Sequence, residues 1–427
     1  MPHIIFTLLK KLSRAVLRKY HPHIVGITGS IGKTSTKNIV AIVLKQKFNL
    51  RASEKNYNNE LGLPLTILGA SAPGKSPTAW LKILFAFQKL LWQRSIDYPE
   101  MLVLEMGADK PGDLEYLTDV AVPETAIVTA VAPSHIEFFK TIENIAKEKS
   151  TLVKKMLPQG TAILNADDPL VSAMADQSPA RVLTFGFSDQ ADIKILSHEF
   201  VAPSLIAHSA PWGISFKIEY EGRTMPMFLP YALARHQLYT AAAAIAAGIA
   251  YDINLVDISE ALKKIKPLPG RLNLLTGIKN TTIVDDTYNS SPEACLAALE
   301  AVRALTARGR RWAILGDMLE LGKMAADSHA LVADKAATSD YDFLVAIGPR
   351  MSTAVEQLPR RANTKTFTFE NSDTAGEFLR AELQSGDLVF LKGSQGMRLE
   401  KAVKNIMVQP QHAAKLLARQ YGTWLDS

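Results

Sequence analysis

The chain has 427 residues, 47% hydrophobic and 21% charged, the balance of a soluble globular protein with room for two or three domains. Its 48 basic and 42 acidic residues leave a formal charge of +6, which suits anionic small substrates, and no aromatic-basic pattern of the RNA-binding kind accompanies it. The single cysteine, Cys295, excludes an internal disulfide and a cysteine-based zinc site, and fits a reducing cytoplasm.

Residues 1–22, MPHIIFTLLKKLSRAVLRKYHP, are apolar and basic, but the apolar run breaks at Lys10 and Lys11. The run is too short to span a bilayer and has no small-residue cleavage site. It reads as an amphipathic helix packing on the domain behind it. Peripheral contact with an anionic membrane surface is the second reading. His23–Ile27 is a short, apolar, β-branched strand, and Gly29, Ser30, Ile31 and Gly32 make a turn. Lys33 and Thr34 then open a helix to Lys47, with Ile39, Val40, Val43 and Leu44 on one side. Strand, glycine-rich turn, Lys-Thr and helix is the order of a phosphate loop. Glycines let the backbone reach the phosphates, and the helix N-terminus adds partial positive charge. Lys33 would reach the terminal phosphates and the Thr34 hydroxyl would ligate Mg²⁺. The loop is a variant, T-G-S-I-G-K-T, with Ile27 where the strict pattern has glycine. Further on, Thr78–Arg94 carries Trp80, Leu84, Phe87 and Leu91 and is a second candidate for surface contact, but its wide apolar face makes a buried helix the first reading.

Apolar strands and helices then alternate. Met101–Ala108, Thr125–His135, Thr161–Pro169 and Arg181–Phe187 read as strands and Ile142–Met156 as a helix. This predicts a parallel sheet with helices on both faces. Glu105 and His135 fall at carboxyl ends of strands, where such sheets bind ligands. From Ala191 to Met227 short alternating segments suggest an antiparallel patch, and His236–Tyr251 is an alanine-rich helix. KPLPGR, Lys266–Arg271, punctuates the chain. A second series follows in TTIVDDTYN, RRWAILGDM, DFLVAIG and DLVFLKGS. The expected architecture is α/β: residues 1–22 as a helix, 23–266 as a P-loop parallel-sheet ATPase domain, and 267–427 as a Rossmann-like domain. Cys295, in a helical run, reads as a small core residue.

The phosphate loop together with NYNNELGLP, LEMGADKPGDL, APSHIEFFKTIENIAKEKS, LPGRLNLL, VDDTYNSSPEA, LGDMLELG and LKGSQGMRLE resembles the Mur ligase superfamily from about Ile24 to Val403. DDTYN followed by LGDMLELG favours the members that add D-alanyl-D-alanine to a UDP-N-acetylmuramoyl tripeptide. The resemblance implies ATP-dependent amide-bond formation. A carboxylate attacks the γ-phosphate, and an amine then displaces phosphate from the acyl phosphate. It implies ATP and two Mg²⁺ ions as cofactors, with a central ATP-binding domain and a C-terminal ligase domain. Gly29, Ser30, Ile31, Gly32, Lys33, Thr34 and Ser35 would hold the nucleotide. Thr240, Arg271 and Asp286 would join them, the last two by closing over ATP from the second domain. Thr34 and Glu105 would ligate one Mg²⁺. His135 and a carbamylated Lys149, 14 residues later, would serve a second. On spacing alone, Lys147 and Lys149 both read as solvated surface lysines. Lys33, His135 and Lys149 are the implied catalytic set. Asn58, Asn59, Tyr288, Asn289 and Lys392 are the implied substrate contacts. Asp109 and Glu137 read as solvated, and His329 matches a family position without an assigned role.

Three departures bear on the substrate. The family carries a UDP-binding domain ahead of the loop, whereas only about two dozen residues precede it here. Either another surface replaces it or the acceptor is not a UDP-sugar. The alanine-rich helix begins His236-Gln237 with Thr240 where the family has asparagines, and one hydroxyl cannot pair with both donor and acceptor on adenine. Ser291 stands where asparagine is common. The alternatives are the same chemistry on another acceptor, such as a polyglutamate chain or another wall polymer, and a non-catalytic nucleotide-binding homologue. A P-loop motor or GTPase leaves the second domain unexplained. A monomer acting on small molecules, without nucleic acid, is expected.

Overall fold

The structure is a computed structural model. It describes residues 2–420 apart from 55, 56, 75, 94, 96, 135, 202–211 and 360–363, so His135 lies outside the described residues. The chain divides into two units. The first comprises Met1–Glu199, Ser215–Leu229 and Gln237–Ile265, and the second Phe200–Ile214, Pro230–His236 and Lys266–Ser427.

The first unit is built on β1 (His23–Thr28), β2 (Leu50–Ala52), β3 (Met101–Glu105), β4 (Thr125–Val128), β5 (Thr161–Asn165), β6 (Arg181–Gly186), β7 (Ile193–Val201), β8 (Gly213–Tyr220) and β9 (Arg223–Pro230). Its helices are α1 (Pro2–Tyr20), α2 (Lys33–Leu44), α3 (Gly62–Leu68), α4 (Pro77–Trp92), α5 (Asp113–Val120), α6 (Ile136–Phe139), α7 (Ile142–Lys154), α8 (Pro169–Ser172), α9 (Gln237–Ala250) and α10 (Leu255–Leu262). The strands form one sheet in the order β2-β3-β1-β4-β5-β6-β7-β8-β9. From β2 to β7 every neighbouring pair is parallel. β1 and β3 are apolar on both faces, as strands covered on both sides by helices must be. The segment expected as an antiparallel patch continues the same sheet as β7, β8 and β9, joined to it through the parallel β6–β7 pair. Period-2 alternation marks strands but not which sheet they join.

Helix α1 docks on its own unit. Leu9, Ser13 and Val16 are buried. Lys10 pairs with Asp119 at 3.2 Å. Lys19 Nζ donates to the Leu90, Leu91 and Gln93 carbonyls at the end of α4, at 2.9, 2.8 and 3.1 Å. The expectation for Thr78–Arg94 needs correction. In α4 only Ile83 and Phe87 are buried, while Leu81, Phe85 and Trp92 are exposed. A helix with a wide apolar face reads as buried, yet among the described residues this one is packed on one side only.

The second unit holds a sheet of β10 (Asn273–Thr276), β11 (Thr282–Asp286), β12 (Arg311–Gly316), β13 (Phe343–Ile347), β14 (Lys365–Phe369) and β15 (Leu388–Lys392), in the order β10-β11-β15-β12-β13-β14. All pairs are parallel except β10 with β11. Strand parity divides the core between the faces. Ala313, Leu315, Leu388 and Phe390 join one apolar layer, and Trp312, Ile314, Val389 and Leu391 the other. The helices are α11 (Pro292–Arg303), α12 (Ala325–Thr338), α13 (Pro349–Glu356), α14 (Ser372–Glu382), α15 (Glu400–Ile406) and α16 (Ala413–Leu416). Cys295 is buried in α11.

Candidate active site

The phosphate loop sits between β1 and α2. Ile27 is fully buried in β1, in register with Glu105 on β3 and Ile127 on β4, so the position that is glycine in the strict pattern is here strand core. The turn proper starts at Gly29. Its φ is 146°, and a Cβ there would fall 1.9 Å from Thr129 Oγ1. Gly32 caps α2 in the left-handed region at φ 86°, where a side chain would be strained. The loop is tied to the strand beside it. Ser30 N–H donates to the Ala130 carbonyl at 2.7 Å, Ser30 Oγ to the Ala132 carbonyl at 2.9 Å, and Thr129 Oγ1 to the Ile31 carbonyl at 2.6 Å. Lys33 Nζ bends back over the loop and donates to the Gly29 carbonyl at 2.6 Å. The first-turn amides of α2 and this ammonium form an anion cradle.

Glu105, at the carboxyl end of β3, is the hub of the site. Thr34 Oγ1 and Asn58 Nδ2 both donate to its Oε1, at 3.1 and 3.2 Å. Its backbone N–H donates to Ser53 Oγ at 3.2 Å. Lys37, one turn along α2 from Lys33, stands 3.6 Å from Oε2 with both side chains buried. Oε2 itself has no hydrogen-bond partner among the described residues. A buried carboxylate oxygen with spare acceptor capacity, beside a hydroxyl, is an oxygen donor set that fits Mg²⁺. Among the described residues no three His, Cys, Asp or Glu side chains cluster, so that fit rests on Glu105 and the Thr34 hydroxyl.

Lys147 and Lys149 have opposite fates on α7. Lys147 is exposed, whereas Lys149 is buried along the inward row of Ile145, Leu152 and Val153. Burial pushes the Lys149 amine down to about 7, the positive charge of Lys33 pushes the same way, and Glu148 and Asp109 oppose. Glu148 accepts from the Gly112 and Leu114 N–H groups, at 3.0 and 2.8 Å, and so fixes α7 to the start of α5. Asp109 and Glu137 are exposed.

Other expected residues have local duties. Thr240 lies on α9 beside the loop, its Cγ2 3.6 Å from where a Gly32 Cβ would stand, and its hydroxyl donates to the Gln237 carbonyl at 2.6 Å. Asn59 Oδ1 accepts from Leu61 and Gly62 N–H at 3.3 and 3.0 Å, closing the turn into α3. Ser35 is half-buried in the first turn of α2.

In the second unit the expected residues gather at the carboxyl ends of β11 and β15. Asp286 and Lys392 are in register and form a 2.6 Å ion pair. Lys392 Nζ also donates to the Asn289 carbonyl at 3.0 Å, and Asp286 accepts from Leu272 N–H at 3.2 Å. Arg271 lies over the Tyr288 ring, 4.2 Å from its centroid. Burial pushes the neighbouring Asp285 up to about 6, although Thr287 and Gly270 donate to it. His236 belongs to this cluster. Burial pushes its imidazole down to about 4, Asp286 opposes, and Lys392 adds to the fall. Ser291 caps α11 by accepting from Ala294 N–H at 3.4 Å. His329 is structural, its Nε2 accepting from Met318 N–H at 2.8 Å and its Nδ1 bonded to the Ala325 carbonyl at 2.6 Å. Sequence reasoning missed Lys37 and Arg419. Arg419 donates to the Tyr288 carbonyl at 2.6 Å and pairs with Glu400 at 3.0 Å, bracing the Tyr288 loop.

Residues 27–79 and 83–248 match the Mur ligase middle domain, and residues 270–395 match the Mur ligase glutamate ligase domain. The chain belongs to the Mur ligase family. UDP-N-acetylmuramoyl-tripeptide–D-alanyl-D-alanine ligase of Mycobacterium leprae is 30% identical over 92% of this chain and 75% of its own length. The Bacillus subtilis protein of the same name is 27% identical over 95% and 80%. The crystal structure of the Thermotoga maritima MurF ligase in complex with ADP superposes with a TM-score of 0.75 at 26% identity, covering 94% of this chain and 83% of that one. In this Mur ligase the phosphate loop, Glu105 and Lys149 lie in the middle-domain match, and Arg271, Asp286 and Lys392 in the C-terminal match.

Proposed function

We propose that this Mur ligase is an ATP-dependent amide ligase of peptidoglycan precursor synthesis. It joins D-alanyl-D-alanine to a UDP-N-acetylmuramoyl tripeptide and releases ADP and phosphate. The observation that carries the reading is the convergence of Lys33, Thr34 and Glu105 on one phosphate loop. The names of the relatives support the choice of substrates.

The loop amides and Lys33 bind and orient the triphosphate, and their fixed positive charge lowers the cost of bringing an acceptor carboxylate to the γ-phosphorus. Mg²⁺, when bound, would be held by Thr34 and Glu105 and would neutralise charge on the transferring phosphoryl group. Asn58 keeps the Glu105 carboxylate turned toward Thr34. An amine then attacks the acyl phosphate and phosphate leaves. Lys149, with an amine that is substantially neutral near pH 7, can add carbon dioxide to become a carbamate, losing one proton to solvent. The carbamate would set a negative charge beside Lys33 in place of a buried amine. With His135 it would serve a second Mg²⁺. The single, buried Cys295 supports a cytoplasmic setting.

The test is phosphate release from ATP and Mg²⁺ with D-alanyl-D-alanine and the UDP-linked tripeptide, read together with product mass. Release that needs both substrates and yields the ligated mass is expected, and Lys33→Ala should abolish it while leaving the circular dichroism spectrum intact. Release indifferent to either substrate, or undiminished in Lys33→Ala, would refute the proposal.

A further inference from the structure

We infer that the outer face of α4 seats on an anionic lipid bilayer surface. The helix buries Ile83 and Phe87 on one side. On the other side Leu81, Phe85 and Trp92 are 66%, 69% and 80% exposed. At the helical repeat these three fall within about 40° of one another, forming one stripe opposite the buried face. Exposed Thr78 and Gln88 border this stripe, on a face that a surface helix would make polar throughout. Lys82 and Lys89 are exposed along one flank of the stripe.

Charge selects the occupant. Neither α4 nor α1, which packs against it, contains a single acidic residue. Helix α1 adds exposed Lys11, Arg14 and Arg18. Exposed lysines beside Leu, Phe and Trp on a helix without acids are the composition of a helix lying in a bilayer interface, its rings at headgroup level and its lysines against anionic headgroups. A second copy of the chain would set this positive surface against itself across a two-fold axis. Spanning the bilayer is excluded for the described helices, none being long and apolar enough to cross. Lys19 and Tyr20 of α1 donate to the carbonyls at the C-terminus of α4 and join the two helices there.

The test is co-sedimentation of the full chain with phosphatidylcholine vesicles that contain or lack phosphatidylglycerol, with light scattering for oligomeric state. Binding only to vesicles with phosphatidylglycerol, reversed by salt, is expected. Combined Leu81→Ser, Phe85→Ser and Trp92→Ser should weaken it about a hundredfold or more. Lys82→Glu with Lys89→Glu should weaken it while leaving the apolar stripe intact. Should the triple variant misfold, lipids brominated on the acyl chain provide a second measurement: they should quench wild-type tryptophan emission, and Trp92→Phe should lose most of that quenching. Wild-type protein that ignores anionic vesicles would overturn the inference, whether it is a monomer or a dimer that the serine variant disperses. Equal binding to neutral vesicles, or quenching untouched by Trp92→Phe, would overturn it too.

Discussion

Lys149→Met isolates the cost of a buried amine. Burial and the charge of Lys33 lower the Lys149 ammonium from its ordinary 10.5 to about 7. Between those two values the unfolded chain holds a proton that the folded chain does not, so folding strengthens as pH rises through that window. Below about pH 7 both states are protonated and the penalty is constant. At about 1.4 kcal/mol per pH unit, the amine costs folding roughly 4 kcal/mol at pH 7 and roughly 2 kcal/mol at pH 9. Methionine fills a similar volume without a charge. Urea unfolding of both proteins, in buffer stripped of carbon dioxide so that no carbamate forms, should show the methionine variant more stable at pH 7, with the advantage shrinking by about 2 kcal/mol at pH 9. Curves that stay parallel across this range would mean an ordinary lysine, and the argument for a reactive neutral amine would fail with them. The same variant should be inactive at both pH values.

Lys149→Ala should lose turnover and recover part of it with added short carboxylic acids, measured as phosphate release; full activity without them would make the residue a spectator. Gly29→Ala places a methyl 1.9 Å from Thr129 Oγ1, so ATP titration calorimetry should show affinity reduced about five- to a hundredfold, for a strain of about 1–3 kcal/mol. His329→Leu removes the acceptor for Met318 N–H and should cost about 1–3 kcal/mol of stability with kcat little changed, read by thermal melting alongside turnover.

The parts of the site legible in the sequence are those fixed by local geometry. Two glycines with Lys-Thr define the loop without reference to the rest of the chain, and runs such as MLVLE and LVFLK can only be strands covered on both faces. Lys149 was not legible as buried, because lysine composition says solvent and only the inward row of α7 says otherwise. Lys37 left a trace that went unread: it stands three residues before Val40 and seven before Leu44, in the buried row of α2. The strands β10 and β14 are short edge strands, and β14, KTFTF, is polar at alternate positions with little burial to announce it. Helix α4 errs the opposite way: its apolar residues reach so far round that only Lys82, Gln88 and Lys89 mark a polar side, and periodicity cannot tell the packed apolar residues from the exposed ones.

The adjacent acids that end β11 set unequal tolerances to mutational drift. Successive strand residues point to opposite faces. Asp285 therefore receives the Gly270 and Thr287 donors, while Asp286 meets Lys392. Asparagine at position 285 could keep the Thr287 donors and would lose only the Gly270 N–H bond, whereas at position 286 it would leave a buried ammonium without its counter-charge, the larger cost. Neither acid can stand in for the other, because a one-residue slip turns the side chain through the sheet. A population of related chains should therefore wander at position 285 long before it wanders at 286, and changes at 286 should be accompanied by changes at 392.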